Sequence, residues 1–328
     1  MAQAAPTYRV TVLVEDDAKG LHAYREGPLN NAGQTLVSGN ASPGSGKDRV
    51  DYRYEASGQR QRLGELHAFQ INAWGDIAGS RYPAHRPAYG VVVRGDGTEA
   101  RIHGFPEDSC GGCSLFARAF GLNDRGQATG MARGADGRLH AYIWREGDMK
   151  DLGTLGGPTS MAWGINNLGA VVGGADLASG EQHAFVYRDG QMRDLGTLGG
   201  RLSFAFAIND AGQIVGGSEV SPGSGYRAFI HDGGLMRAIA TPGQGESTAM
   251  SINESGQVVG TYSRGQKTLP YVFDGETATD LNDALSPPDQ AAWKIESVTG
   301  LNDEGVITGR GVRRSDGRSH VLLLTPVP

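Results

Sequence analysis

A phrase of about ten residues recurs seven times in this chain: an aliphatic residue, Asn, a short polar turn, Gly, then an aliphatic run closing on Gly. The copies begin at Leu29-Asn30, Ile71-Asn72, Leu122-Asn123, Ile165-Asn166, Ile208-Asn209, Ile252-Asn253 and Leu301-Asn302. From Asn to Asn the steps are 42, 51, 43, 43, 44 and 49 residues. A repeat of that size is one supersecondary unit that cannot bury its apolar face alone, and seven of them point to a propeller. The expectation is an all-β, seven-bladed β-propeller with four antiparallel strands per blade, forming a single domain over residues 1–328.

The unit from Ser160 to Gly200 shows the four strands. Ser160 to Ile165 alternates small and large, as a strand does. Asn166-Asn167-Leu168-Gly169 is a turn in which Asn bonds its own backbone and Gly takes positive φ. Ala170–Gly173 is the second strand, His183–Tyr187 the third, and Asp189-Gly190 a hairpin signal before the fourth, Met192–Leu195. On the first strand the small side reads Ser160, Ala162, Gly164 and the large side Met161, Trp163, Ile165. The next unit repeats this with Ser203, Ala205, Ala207 against Phe204, Phe206, Ile208. Small against large fills the gap between facing blades, so the Trp and Phe side chains read as core.

The last unit lacks a fourth strand, and the N-terminus has a spare one, Tyr8–Val14. Residues 7–14 are therefore expected to complete the C-terminal blade and close the ring, removing exposed strand edges.

Composition narrows the function classes. Gly numbers 52 and Pro 14 of 328 residues, and the glycines fall at fixed places in the repeat, as turn residues. The net charge of −6 does not suggest a nucleic-acid binder, and no apolar run is long enough to span a membrane. The start, Met-Ala-Gln-Ala-Ala-Pro, reads as the head of an exported chain whose signal has been removed, behind an added Met. Cys110-Gly-Gly-Cys113 cannot by itself supply the four ligands of a structural zinc site, and no metal is expected. The acidic neighbours Glu107 and Asp108 would not lower a thiol pKa, so a local disulfide is the expectation for this pair. There is no Gly-x-Ser-x-Gly elbow, no phosphate-binding Gly-rich loop and no His-Glu-x-x-His helix. No cofactor is expected.

Three motifs together, His183-Ala184-Phe185 (His140-Ala141-Tyr142 in the preceding unit), Asp-Leu-Gly-Thr-Leu-Gly-Gly at 151–157 and 194–200, and the Ile-Asn-x-x-Gly phrase, resemble the HAF-repeat family of bacterial extracellular repeat proteins. The likeness is specific in the middle units and decays outside them. It implies export and a propeller-like repeat, and no single shared activity.

Function is expected on the rim that varies. The loops between second and third strands and between blades share one rim; the Asn turns and Asp-Gly hairpins share the other and read as scaffold. The variable rim offers Tyr82, His85, Arg86, Arg201, Tyr226, Arg264, Arg310 and Arg313 as candidate ligand-binding residues, a basic and hydroxyl-rich set in an acidic protein. His67 and Arg118 take the first-strand slots filled by Met161 and Phe204 elsewhere. The two recurring histidines, His140 and His183, read as structural hydrogen-bonding groups. The first reading is a monomeric, exported binding module for a glycan or protein, possibly anionic. The alternative is an enzyme on an acidic polysaccharide. It would be a lyase in which Arg118 neutralises a uronate while His67 or a tyrosine, Tyr82 or Tyr262, removes the adjacent proton. A third reading is a structural surface-repeat protein.

Overall fold

The computed structural model describes residues 6–15, 22–40, 49–84, 87–105, 116–134 and 136–327. Its strands form seven four-stranded antiparallel sheets, a seven-bladed β-propeller. Contacts divide the chain into two compact units, residues 1–64 with 239–328, and residues 65–238.

The contiguous unit holds four blades. Blade 2 comprises Leu66–Ile71, Ile77–Arg81, Tyr89–Val93 and Glu99–Ile102, and blade 3 comprises Ala117–Leu122, Ala128–Arg133, Leu139–Arg145 and Asp148–Asp151. Blade 4 comprises Gly156–Ile165, Val171–Leu177, Gln182–Arg188 and Gln191–Asp194, and blade 5 comprises Ser203–Ile208, Ile214–Glu219, Tyr226–Asp232 and Leu235–Ala238. The discontinuous unit holds three. Blade 1 is His22–Leu29, Thr35–Asn40, Arg49–Tyr54 and Arg60–Arg62; blade 6 is Ser247–Ile252, Val258–Arg264, Lys267–Phe273 and Ala278–Asp280. Blade 7 is Trp293–Leu301, Ile307–Arg313 and Ser319–Val327, with Thr7–Glu15 as its fourth strand.

The recurrent phrase builds the joint between blades. In blade 4, Asn166 Oδ1 accepts the backbone N–H groups of Leu168 and Ala170 at 3.1 and 2.8 Å, closing its own turn. Its Nδ2 then donates to the carbonyl of Asn209, the same residue of blade 5, at 3.0 Å. The rung repeats from Asn72 to Asn123 and from Asn123 to Asn166 in this unit, and from Asn253 to Asn302 and Asn302 to Asn30 in the other. The next residue adds a second rung: Asn167 N–H donates to Asp210 Oδ1 at 2.7 Å. Only Asn, with an acceptor and two donors on one short side chain, can do both tasks at once.

The Gly that closes the phrase answers to a bulge. The first strand slips register between Ala162 and Gly164, opposite the second strand. A Cβ on Gly173 would there overlap the carbonyl oxygen of Met161, so no side chain fits.

The other two motifs also interlock. His183 Nδ1 bonds the Asp194 carboxylate at 2.9 Å, and Asp194 Oδ1 accepts Gly196 N–H at 2.7 Å. Ser203, on the first strand of blade 5, donates to Gly196 O and accepts Ala184 N–H at 2.6 and 2.8 Å. His140, Asp151 and Ser160 repeat the arrangement one blade earlier. Both histidines are thus structural, holding the connector to the third strand.

The core lies between adjacent blades. Ala141, Leu152, Ala162, Ala175 and Phe185 pack blade 3 on blade 4. Val172, Val186, Ala205, Ile214 and Phe229 pack blade 4 on blade 5. One expectation is corrected. The large first-strand residues are half-buried rather than core: Trp163 leans on Phe204 and Phe206, with centroids 5.9 and 5.3 Å apart. The first strand is an edge of its sheet, so only the equivalent residues of the neighbouring blade cover that side.

In the discontinuous unit Thr7–Glu15 pairs antiparallel with Ser319–Val327, from Thr7 opposite Val327 to Glu15 opposite His320. Tyr8 is fully buried with Leu281, Ile295, Ile307 and Leu322. Its backbone also bonds Ala284 O and Ser286 N–H, at 2.8 and 2.7 Å. A short helix, Pro287–Ala292, follows at once, a feature with no counterpart among the described residues of the other units.

Candidate functional site

Three of the proposed residues meet on the variable rim of blades 2 and 3. His67 lies on the first strand of blade 2 and Arg118 at the equivalent place in blade 3, opposite Ser80 and Met131 respectively. Tyr82 follows the second strand of blade 2. The His67 and Tyr82 ring centroids are 4.4 Å apart at an interplanar angle of 45°. The Arg118 guanidinium stands 5.2 Å from the Tyr82 centroid and 5.6 Å from that of Phe116, so it lies against both rings. Below them Phe69 and Phe120 meet edge to face at 5.1 Å and support both first strands.

The cluster holds one cation against aromatic faces. Arg118 Nε is buried without a hydrogen-bond partner, and no carboxylate pairs with the guanidinium among the described residues. Arg81, the nearest arginine in sequence to Tyr82, is already committed to Glu99. Tyr82 is 38% exposed, one of few large apolar surfaces that face solvent. A guanidinium held flat by aromatic faces keeps its fork for a planar acceptor, such as a carboxylate.

The remaining candidates do not join this cluster. Arg201 is exposed and faces Glu181 at 3.8 Å, and Tyr226 meets Phe204 edge to face at 5.6 Å. Both are in the same unit. In the other unit Arg264 lies 5.5 Å over the Tyr262 ring, and Arg313 lies 5.2 Å over Trp293 while pairing with Asp316 at 3.2 Å. Arg310 is half-buried, its Nε without a partner. Tyr262 is not a surface group. It is 1% exposed, opposite Ser247 in the buried slot that Ala132, Ala175 and Ser218 occupy in other blades, and its hydroxyl donates to Asp280 Oδ2 at 2.6 Å. Burial, then the Asp280 hydrogen bond, push its phenol pKa up, which withdraws it from proton abstraction. His85, Arg86, Cys110 and Cys113 lie outside the described residues. Among the described residues no group of three His, Cys, Asp or Glu side chains is placed to hold a metal. No described helix is long and apolar enough to cross a membrane.

Sequence reasoning missed Phe116, the second ring against Arg118. It sits in an unremarked position just before the first strand, where the repeat places no fixed residue type.

No family model matches the chain, and no curated protein does. Solved structures do, through the fold. Pyrococcus horikoshii acylaminoacyl peptidase superposes with a TM-score of 0.60 at 11% identity, over 94% of this chain and 52% of that one. A puromycin-hydrolyzing peptidase of Mycobacterium tuberculosis gives 0.57 at 13%, over 97% and 56%. The β-propeller domain of the Trilobed protease from Pyrococcus furiosus gives 0.55 at 13%, over 92% and 95%. The chain thus spans about half the length of the two peptidases and nearly all of the isolated propeller domain. At these identities the likeness is one of fold.

Proposed function

We propose that this protein is an exported binding propeller that recognises a carboxylate-bearing glycan through the variable rim of blades 2 and 3. One observation carries the reading: Arg118 stands over Tyr82 and Phe116, with no carboxylate partner among the described residues, and Tyr82 also contacts His67. The exposed part of Tyr82 meets the sugar, and the guanidinium takes its carboxylate in bidentate fashion. Export is proposed from the resemblance of the His-Ala-Phe and Asp-Leu-Gly-Thr-Leu-Gly-Gly motifs to those of the HAF-repeat proteins. The test is calorimetric titration with oligogalacturonate against the matching neutral oligosaccharide. Binding of the acidic ligand alone, weakened about tenfold or more by Arg118→Gln and by Tyr82→Ser, supports the proposal. Equal affinity for both ligands, or variants that bind as wild type, overturns it.

The same cluster supports a second reading, a polysaccharide lyase. His67 and Arg118 both contact Tyr82, so one base-capable group and one charge neutraliser flank the same ring. Arg118 would hold the uronate carboxylate while His67 or Tyr82 takes the neighbouring proton and the glycosidic oxygen leaves, forming a carbon–carbon double bond. Incubation with a polyuronate panel, followed by ultraviolet absorbance of the unsaturated product, tests this. No absorbance change across the panel rejects the lyase and leaves the binding reading to the titration.

A further inference from the structure

The rim of Asn turns and Asp-Gly hairpins, expected to be scaffold only, carries a cavity of about 550 Å³ between blades 4 and 5. Two departures from the repeat create it. The residue four after the phrase Asn is Gln at 34, 127, 213 and 257. Where blade 3 meets blade 4, that Gln packs on the next turn: a Cβ on Gly169 would lie 3.4 Å from Gln127 Oε1. Gln257 lies likewise, 3.1 Å from a Cβ on Gly305. Blade 4 has Ala170 instead, and a Cβ on Gly212 of blade 5 would meet nothing within 4 Å. The second departure is His231, at the third-strand position that holds Trp144, Tyr187 and Phe273 in blades 3, 4 and 6. Its ring lines the cavity, and its Nδ1 is buried without a partner. Burial, reinforced by Arg188, holds the imidazole below its ordinary pKa, so it is neutral at pH 7.

The lining is divided by chemistry. Val186, Ile208 and Ile214 supply an apolar part, and Leu168, 65% exposed, adds to it. Asp189, Asp210 and Asp232 supply carboxylates against one guanidinium, Arg188. With His231 neutral, the cavity carries an excess of negative charge, opposite in sign to the Arg118 cluster. No Phe, Tyr or Trp lines it, so it lacks a broad platform for stacking a sugar. Its volume falls within the usual span of small-ligand sites, roughly 300–1,000 Å³.

We infer that this cavity binds a small organic cation, an ammonium or guanidinium on a short apolar stem. The stem lies on the Val186, Ile208 and Ile214 side, and the head meets the carboxylates. The same chemistry is offered by a free amine and by a Lys or Arg side chain of a peptide. The test titrates the full chain, at low ionic strength, with 1,5-diaminopentane, with N-acetyl-lysine methylamide and with uncharged 1-pentanol. Saturable binding of either amine but not of the alcohol is expected, weakened by added salt. The tighter of the two amines then tells a free ligand from a peptide. Ala170→Gln should refill the cavity as Gln127 and Gln257 fill theirs, leaving the melting temperature unchanged or higher while lowering affinity at least about tenfold. Asp189→Asn, at a backbone φ of 54° that Asn also tolerates, should lower affinity and its salt dependence. Equal binding by wild type and Ala170→Gln, binding of pentanol as strong as that of the amines, or no saturable binding of either amine overturns the inference.

Discussion

Replacing Asn166 by Ala removes three hydrogen bonds from a side chain that is 6% exposed. Two of them, from Leu168 and Ala170 N–H, hold the turn of blade 4, and the third, to Asn209 O, ties blade 4 to blade 5. A typical intramolecular hydrogen bond contributes about 0.5–1.5 kcal/mol net, more where a buried partner is left unsatisfied, so the loss should be about 2–4 kcal/mol. Asn166→Asp separates the two tasks. It keeps the acceptor that closes the turn and sets a carboxylate oxygen against the Asn209 carbonyl, so at pH 7 it should destabilise through the joint alone. Asn167, which is only half-buried, serves as the comparison, and its replacement by Ala should cost about 1 kcal/mol. Urea unfolding followed by far-ultraviolet circular dichroism and by the fluorescence of the four tryptophans, Trp163 of the same blade among them, gives the numbers. Because stability in a repeat array is a sum of unit and neighbour terms, loss of the joint should also broaden the transition. An Asn166→Ala protein within about 0.5 kcal/mol of wild type would show that the rung between blades carries no energy, and would refute the reasoning.

Three further outcomes are expected. Ser203→Ala should cost about 1–3 kcal/mol in urea unfolding, since it leaves Ala184 N–H buried and unpaired; a neutral result would remove the connector role assigned to the motif. Deleting residues 1–14 strips the outer strand from blade 7 and Tyr8 from its core, and should lower the melting temperature by at least about 10 °C; an unchanged melting curve would contradict the pairing with Ser319–Val327. Burial raises the phenol pKa of Tyr8 to about 12, and those of Tyr142, Tyr262 and Tyr271 upward. The folded state therefore holds these protons more tightly than the unfolded one, whose tyrosines titrate near pH ~10. Their contribution is complete below that pH and is lost as pH rises through the folded values. The share of tyrosinate absorbance that belongs to these four should appear only as the circular dichroism is lost, above about pH 10, whereas its appearance in an intact fold would refute this.

Much of the fold was legible because the repeat encodes local geometry. A turn that needs Asn and a positive-φ Gly, as at Gly169 with φ 84°, leaves the same mark each time. What the repeat does not write down is contact between units. The spacing of eleven residues from His140 to Asp151 and from His183 to Asp194 was in plain view, yet only strand register makes them partners. The candidate site was harder for a related reason. Tyr82 and Tyr262 both come at the end of a second strand, but Tyr262 falls one register step earlier, on the side that faces the core. A single step decides between a solvent-facing ring and a buried phenol. The cavity between blades 4 and 5 did leave a trace, since Ala170 and His231 break their columns in the repeat.

The strand pairing in blade 7 bears on how the chain reaches this structure. Thr7–Glu15 leaves the ribosome long before its partner Ser319–Val327, so that sheet cannot be completed until residues 319–327 have been made. Residues 65–238 carry all four strands of each of their blades in one uninterrupted stretch. Their pairings are between near neighbours in sequence and can form while the rest is still emerging. Over that interval the unpaired N-terminal strand is an open edge with a Val-rich face. The period between its synthesis and its capture is when this protein is most exposed to aggregation.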